Sequence, residues 1–279
     1  RVLFRSALVG EKIAIVTNKP QTTRNRICAV VNREGCQFVF LDTPGLHKAR
    51  TRLGDYMVKV VKESVADVDA VLLLVEPIPH IGGPEAELIR RIKELNVPAV
   101  LVINKIDTVE KEELLSVMQV YGAAHDFAAI VPISAKRNEG VDELLGLLAQ
   151  FLPEGPQLFP EDMVTDQPER QVCAEIIREK LLLCLDKEIP HGTAVEITTF
   201  SERDDGIIDL DATIYCEKAS HKGIIIGKGG AMLKKISTLA RTDIEAFMGT
   251  KVFLQTWVKV KENWRDNMNL IKNFGYRDE

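Results

Sequence analysis

The sequence predicts a doubly wound, mostly parallel α/β sheet in its first half and a smaller α+β domain in its second half. Three observations lead to this fold class. Short apolar runs alternate with amphipathic helical patterns up to about residue 152, a cluster of prolines then interrupts the pattern, and the order of elements changes beyond it. We therefore expect a first domain over 1–153, a linker over 154–168 and a second domain over 169–279.

The first-half strands are apolar throughout: CQFVFLD (36–42), VDAVLLLVE (68–76) and VPAVLVINK (97–105). Two segments between and after them, 84–95 and 139–152, repeat apolar residues at helical spacing. Strands without polar alternation, separated by amphipathic helices, are typical of a parallel sheet that is covered on both faces.

The second half begins after four prolines at positions 153, 156, 160 and 168. Its pattern predicts a helix, two strands, a helical pair and a last strand, over about 169–187, 193–201, 207–216, 229–248 and 251–260. The last strand alternates apolar and polar residues, as half-buried pairing requires. This order indicates a small α+β domain.

Composition excludes some classes of protein. No apolar run approaches the roughly 18 residues that a membrane span needs. The five cysteines form no C-x-x-C pair, and their odd number favours reduced thiols and a cytoplasmic location. Because the net charge is -5, any binding of nucleic acid has to come from a local patch.

The tetrapeptide Asn104-Lys105-Ile106-Asp107 closes a predicted buried strand, where ligands bind in doubly wound sheets. The carboxylate of Asp107 can accept both N1–H and the exocyclic amine of guanine, whereas adenine does not offer both donors. Buried polar contacts of this kind can reject the wrong base by a factor of about 10⁴. The alternative is an ordinary strand end followed by a helix-capping Asp.

Three other turns fall at positions that suit a nucleoside triphosphate. Asp42 follows a buried strand, where it can hold Mg²⁺ through water while a glycine amide approaches the γ-phosphate. Thr23 can donate its hydroxyl oxygen to the same metal, so Thr23 and Asp42 are the candidate metal residues. Each turn alone is more often structural, but the set is specific. The candidate nucleotide residues are Thr22, Thr23, Asp42, Thr43, Pro44, Gly45, Asn104, Lys105, Asp107, Ser134, Ala135 and Lys136.

A second signal is the glycine-rich turn at 226–230. A GxxG turn joins two helices so tightly that about four nucleotides of RNA backbone can lie against it. From Lys218 to Thr242 there are six Lys or Arg residues and no Asp or Glu, which suits phosphate contacts. A glycine-rich turn without a ligand is the alternative. The candidate RNA residues are Lys222, Ile226, Gly227, Lys228, Gly229, Gly230, Lys234 and Lys235.

The two tryptophans are weaker candidates. Trp257 and Trp264 can stack on bases, but Trp257 falls on a predicted strand, where a core position is the more common outcome.

Together these motifs resemble the translation-factor-like GTPases, and the Era family in particular. The resemblance is carried by KPQTTRNRI (19–27), LDTPGLH (41–47), NKID (104–107), ISA (133–135), PEDMVTDQPER (160–170), AEIIREK (174–180), GIIIGKGG (223–230) and KVFLQTWVKVKENWR (251–265). It implies a P-loop GTPase-type sheet followed by a KH domain. It also implies GTP or GDP with Mg²⁺ as ligands, with K⁺ as a further cation.

The resemblance further implies binding of the 3′ end of small-subunit rRNA, rather than DNA, and a role in assembly of the 30S subunit. Weak peripheral association with the inner face of the cell membrane is an additional expectation. A single GTPase domain and an intact GxxG turn separate this chain from the two-GTPase-domain Der family.

The sequence departs from the family pattern at two places. Family members begin with a strand and a G-x-x-x-x-G-K-S/T phosphate loop, whereas RVLFRS stands here where that loop would end. Leu46 occupies the position of a water-orienting Gln in Ras-like enzymes. We expect weak or no GTP turnover by the chain as written, and the alternative is an RNA-binding KH protein with an inert GTPase-like scaffold.

Overall fold

A computed structural model describes residues 22–33, 35–45, 51–64 and 68–276, together with residues 4, 7 and 8. Its residues separate into two compact units. The described part of the first unit comprises 4, 7, 8, 26–33, 35–45, 59–64 and 68–166, and that of the second comprises 22–25, 51–58 and 167–276. None of the helices within the described residues is long and apolar enough to cross a membrane.

The first unit contains a three-stranded parallel sheet whose central strand is apolar and fully buried. The strands β3, β4 and β5 lie in that order, with β4 paired to both neighbours. An antiparallel hairpin, β1 with β2, precedes them, and β1 was not predicted from the sequence. The strands are β1 (Ile27–Arg33), β2 (Cys36–Asp42), β3 (Val71–Val75), β4 (Ala99–Asn104) and β5 (Ala129–Ile133).

Helices cover both faces of this sheet. Alternate residues of β4 point to opposite faces and pack in two different apolar clusters. Val100 and Val102 pack in one cluster with α4, and Leu101 and Ile103 pack in the other with residues of α2 and α3. The doubly wound fold is thereby confirmed. The helices are α1 (Arg52–Ser64), α2 (Gly83–Leu95), α3 (Lys111–Ala124) and α4 (Val141–Leu148).

A cavity of about 410 Å³ lies beside β2 and β3. No hydrogen-bonded ladder joins these two strands among those the structure describes. The lining is mainly apolar and includes Phe38 and Phe40 of β2 and Leu72 of β3. Asp42, Thr43 and Pro44 also line it, so the cavity reaches the turn that follows β2.

The second unit has the element order that the sequence predicts up to its last strand, but the helical pair begins at Ala219 instead of about residue 229, and a short helix over Met268–Asn273 was not predicted. Strands β6, β7 and β8 form one sheet, in which β6 is antiparallel and β8 parallel to β7. Residues of α5, α6 and α7 share one apolar core with the sheet. The elements are α5 (Glu169–Cys184), β6 (Ala194–Glu202), β7 (Ile208–Cys216), α6 (Ala219–Ile226), α7 (Ala231–Met248), β8 (Val252–Val260) and α8 (Met268–Asn273).

The predicted linker is in large part held against the hairpin of the first unit. The Val30 N–H donates to the Val164 carbonyl at 3.0 Å, and the Thr165 hydroxyl donates to the Cys28 carbonyl at 2.7 Å. The Gln37 side chain accepts from the backbone N–H of Phe159 at 2.9 Å. Residues 159–165 therefore run beside the hairpin as an ordered segment.

Candidate nucleotide and RNA sites

A buried asparagine holds together the turns that are the candidate binding site for guanine. The Oδ1 atom of Asn104 accepts from the N–H of Lys105 at 2.8 Å and from the N–H of Ala135 at 3.0 Å. Because β4 and β5 are parallel neighbours, their carboxyl ends lie side by side, and Asn104 pairs with Ile133 in register. Asn104 thus joins the NKID turn to the Ser134-Ala135-Lys136 turn and has a structural role.

Asp107 lies beside the second turn, as a base-reading carboxylate requires. The hydroxyl of Ser134 donates to Asp107 Oδ1 at 2.7 Å. This hydrogen bond holds the pKa of the Asp107 carboxyl below its ordinary value. Ser134 is fully buried, while Asp107 is partly exposed, and the carboxylate is therefore ionised and accessible at neutral pH.

Lys105 adopts a left-handed backbone, with φ of 69°, which turns the chain sharply after β4. Its Nζ atom contacts a carboxylate oxygen of Glu76, the residue that follows β3. Sequence reasoning missed Glu76, although its place at the end of an apolar strand was a signal that could have found it. Lys136 is exposed on the neighbouring turn.

The candidate metal residues lie in different compact units, which are described separately. Asp42 ends β2, paired with Ile27, and is followed by Thr43, buried Pro44 and exposed Gly45. Carboxylate and hydroxyl oxygens suit Mg²⁺. No cluster of three or more His, Cys, Asp or Glu side chains is grouped for a metal among the residues that the structure covers. Leu46 and most of RVLFRS lie outside the described residues.

Thr22 and Thr23 are buried within the second unit. The segment that carries them, 22–25, is held mainly through Arg24, which is buried and was missed by sequence reasoning. The Arg24 guanidinium donates to the carbonyls of Thr193 and His191, both at 2.8 Å, and to the hydroxyl of Tyr276 at 3.2 Å.

Two aromatic rings also pack near the Arg24 guanidinium. The guanidinium carbon of Arg24 lies 5.8 Å from the ring centroid of Trp264 and 5.9 Å from that of Tyr276. The Asn25 side chain adds a hydrogen bond to the Gly275 carbonyl at 3.0 Å and accepts from the Tyr56 hydroxyl at 3.1 Å. The segment is therefore firmly docked within the second unit.

The RNA candidate turn has the geometry of a tight helix-to-helix junction. α6 ends at Ile226, α7 begins at Ala231, and Gly227, Gly229 and Gly230 all have positive φ. A Cβ on Gly227 would approach Met232 Cβ to 2.7 Å, so only glycine fits there. A close approach of a phosphate backbone is compatible with this bare turn.

The side chains around the turn divide into two groups. Lys228, Lys234 and Lys235 are exposed, and Lys222 is partly exposed, so the cationic surface predicted from the sequence is present. Ile226 instead packs against the apolar core of the unit.

The predictions for the two tryptophans need correction. Trp264 is 0% exposed and donates its indole N–H to the Gly192 carbonyl at 2.9 Å, so it cannot stack on RNA in this fold. Trp257 is 55% exposed and is not a core residue, because its side chain lies on the outer face of β8, where the alternation leaves Phe253 exposed as well.

The comparisons with known proteins agree with this division of the chain. The family described as "50S ribosome-binding GTPase" matches residues 3–105, and the KH domain family matches residues 188–265. The fold and the two matches define a GTPase with a C-terminal KH domain. Similar proteins include GTPase Era of Ruminiclostridium cellulolyticum, 51% identical over 98% of this chain and 91% of the relative, and GTPase Era of Clostridium kluyveri, 49% identical over 98% and 93%. The chain belongs to the GTPase Era family.

Solved structures of Era agree with this family assignment. A point variant of Era from Aquifex aeolicus bound to GDP·AlF4⁻ is 35% identical and superposes with a TM-score of 0.95, over 99% of this chain and 95% of that one. Era in complex with MgGDPNP and nucleotides 1506–1542 of 16S ribosomal RNA is also 35% identical, again with a TM-score of 0.95, over 99% and 94%.

Proposed function

We propose that this chain acts as a guanine-nucleotide switch that binds the 3′ end of small-subunit 16S rRNA through its KH domain, in assembly of the 30S subunit. The observation that carries the nucleotide half is the Asp107 carboxylate, which Ser134 holds ionised at the carboxyl edge of the parallel sheet. The geometry of the GKGG turn supports the RNA half.

Individual residues have distinct roles in this proposal. Asp107 reads guanine, and Asn104 keeps the two base-side turns together. Asp42 would hold Mg²⁺, which neutralises charge on the β- and γ-phosphates when it is bound. Thr23 as a second metal residue stays a prediction. K⁺ as a second cation and weak membrane association stay predictions. A cytoplasmic location is also a prediction, and the free cysteines support it.

GTP hydrolysis also needs phosphate anchors, and no G-x-x-x-x-G-K-S/T motif occurs in the 279-residue sequence. We propose that the 279-residue chain, in which this motif does not occur, binds RNA but turns over GTP weakly or not at all.

Equilibrium binding of fluorescent GDP with Mg²⁺, against the matching ADP, tests the nucleotide half. The 279-residue chain is compared with the same chain preceded by a strand and phosphate loop. We expect guanine-specific binding only by the longer chain, with Asp107→Asn shifting its preference to xanthine nucleotides and Asp126→Asn, an exposed control, leaving it unchanged. Tight GDP binding by the 279-residue chain, or no shift to xanthine, would contradict this assignment.

RNA binding is tested on the 279-residue chain with a 16S 3′-end oligonucleotide in a salt titration. Lys228→Asp with Gly229→Asp should abolish binding, because the change removes a phosphate contact and places carboxylates on the turn. The pair Lys261→Asp with Asn269→Asp introduces the same charge change elsewhere in the unit and should keep most of the affinity. Equal affinity of the turn variant and the unchanged chain would count against an RNA clamp.

A further inference from the structure

Strand β8 presents two large aromatic side chains to solvent, Phe253 and Trp257, which are 49% and 55% exposed. The alternate residues Val252, Leu254 and Val258 pack in the apolar core that the sheet shares with α5, α6 and α7. Because successive side chains of a strand point to opposite faces, the two rings lie on the face turned away from these helices. We call it the outer face. The core of the unit does not use either ring.

Carboxylates of β7 lie on the outer face beside these rings. In the parallel register of the two strands, Asp209 is opposite Phe253, and Asp211 is opposite Gln255, which stands midway between Phe253 and Trp257. Residues two positions apart on a strand share a face, so both aspartates belong to the outer face. Negative charge and aromatic rings therefore occupy adjacent positions there.

The chain's own Arg203 binds to the first of these combinations. Its guanidinium carbon lies 5.2 Å from the ring centroid of Phe253. Its Nε atom donates to Asp209 Oδ2 at 2.7 Å, and its Nη2 atom donates to Asp209 Oδ1. A guanidinium is flat and has a fork of donors, so it can stack on a ring and pair with a carboxylate at once. Phe253 and Asp209 thus form an arginine site that the chain itself occupies.

The next combination along the strands has the same two kinds of group but no cation. Asp211 is partly exposed and forms no ion pair within the part of the chain that the structure describes. Among the described cations, none stacks on the ring of Trp257. Both groups are therefore accessible to an arginine from another molecule.

The charges around the outer face favour a basic protein over RNA. The turn between β6 and β7 adds two exposed aspartates, Asp204 and Asp205, at the Phe253 end of the face. Lys259 is an exposed cation at the opposite end, where it pairs in register with Tyr215. The six Lys or Arg residues within 218–242 instead belong to the helical side of the unit. Carboxylates repel phosphates and attract arginine, so this face suits a protein partner.

We propose that Trp257 and Asp211 form a binding site for an arginine side chain of a partner protein, and that the outer face docks a basic, arginine-bearing segment of that partner. Arginine fits better than lysine, because its planar group can stack on the indole while it pairs with the carboxylate. The inference goes beyond the proposed function and does not depend on it, since the GKGG turn joins helices on the other side of the sheet.

The test is a titration of the 279-residue chain with a short fluorescein-labelled peptide of alternating Gly and Arg, followed by anisotropy. A peptide of alternating Gly and Lys is the comparison. We expect saturable binding that salt weakens, and a higher affinity for the arginine peptide. With the unlabelled peptide, tryptophan emission should change in the same titration, because Trp257 is exposed whereas Trp264 is fully buried.

Variants of the two site residues identify the face that binds. Trp257→Ala should lower the affinity for the arginine peptide about fivefold, and Asp211→Asn about threefold. Two controls remove comparable groups elsewhere in the same unit: Glu262→Gln removes an exposed carboxylate, and Leu183→Ala removes an apolar side chain that is 54% exposed. Both controls should bind the peptide as the unchanged chain does. All four variants should keep their affinity for the 16S 3′-end oligonucleotide.

Several results would overturn this assignment. One is the absence of saturable binding, and another is an affinity of the Trp257→Ala and Asp211→Asn variants equal to that of the two controls. If Trp257→Ala weakened binding of the oligonucleotide but not of the peptide, the outer face would be an RNA surface. If sedimentation equilibrium showed a dimer that Trp257→Ala dissociates, the occupant would be a second copy of this chain.

Discussion

Replacing Asn104 with Ala should destabilise the first unit specifically. The buried Oδ1 atom accepts two backbone N–H groups, those of Lys105 and Ala135. The Lys105 residue is exposed, so its amide can turn to water and the loss is one net hydrogen bond, about 0.5–1.5 kcal/mol. The Ala135 amide is less accessible, and an unpaired buried donor costs about 1–3 kcal/mol. We expect a total of about 2–4 kcal/mol.

Urea unfolding provides an assay with an internal reference, because Trp257 and Trp264 both belong to the second unit. With an m-value of about 2 kcal/mol/M, the midpoint of the first-unit transition in far-UV circular dichroism should fall by about 1–2 M. The tryptophan fluorescence transition should not move. Ser116, whose exposed hydroxyl donates to the Glu112 carbonyl of its own helix, is the control: Ser116→Ala should change stability by less than about 0.5 kcal/mol.

An Asn104→Ala midpoint shift below that of the Ser116→Ala control would refute the assignment of Asn104 as the link between the two turns. An equal shift of the fluorescence transition would refute its restriction to the first unit.

Three further predictions concern other contacts. Ser134→Ala should raise the Asp107 pKa towards its ordinary value in an NMR titration, and an unchanged pKa would contradict the hydrogen bond. The stabilisation that the lowered pKa provides is complete above the unfolded-state pKa and is lost as pH falls through the folded-state pKa. Gly227→Ala should lower the thermal midpoint and weaken RNA binding, because the new Cβ would meet Met232. The control Gly223→Ala places its Cβ in open space on a helix and should stabilise the protein by about 0.5–1 kcal/mol. Equal effects of the two substitutions would contradict the tight turn. Tyr276→Phe should cost about 1 kcal/mol in fluorescence-monitored unfolding, since it removes an acceptor of the buried Arg24 guanidinium, and no loss would contradict that contact.

The sequence predicted well those elements whose apolar pattern is unbroken. The run 97–105 and the helix over 84–95 appear as β4 and α2, because burial alone decides such segments. The hairpin strand β1 was missed, since ICAVVNR joins an apolar run to polar residues without a turn signal before it. The turn of Gly227 was found because a positive φ at a tight junction demands glycine.

Long-range pairing of polar side chains could not be predicted. Arg24 and Arg178 look like surface residues in the sequence, because their partners lie 169 and 156 positions away, at Thr193 and Thr22. Only the folded chain brings such groups together, and neither periodicity nor composition records it. The same reason explains why Trp264 was a candidate for RNA stacking when it is a core residue.

The segment 159–165 also bears on whether copies of this protein associate through the edge of β1. It occupies hydrogen-bonding groups of β1, including the Val30 amide and the Cys28 carbonyl, that an uncovered edge strand would offer to another chain. β1 is apolar along most of its length, which would make an open edge prone to intermolecular pairing. The proline-rich stretch between the domains thus also protects the hairpin against aggregation, and shortening it should lower the solubility of the folded protein.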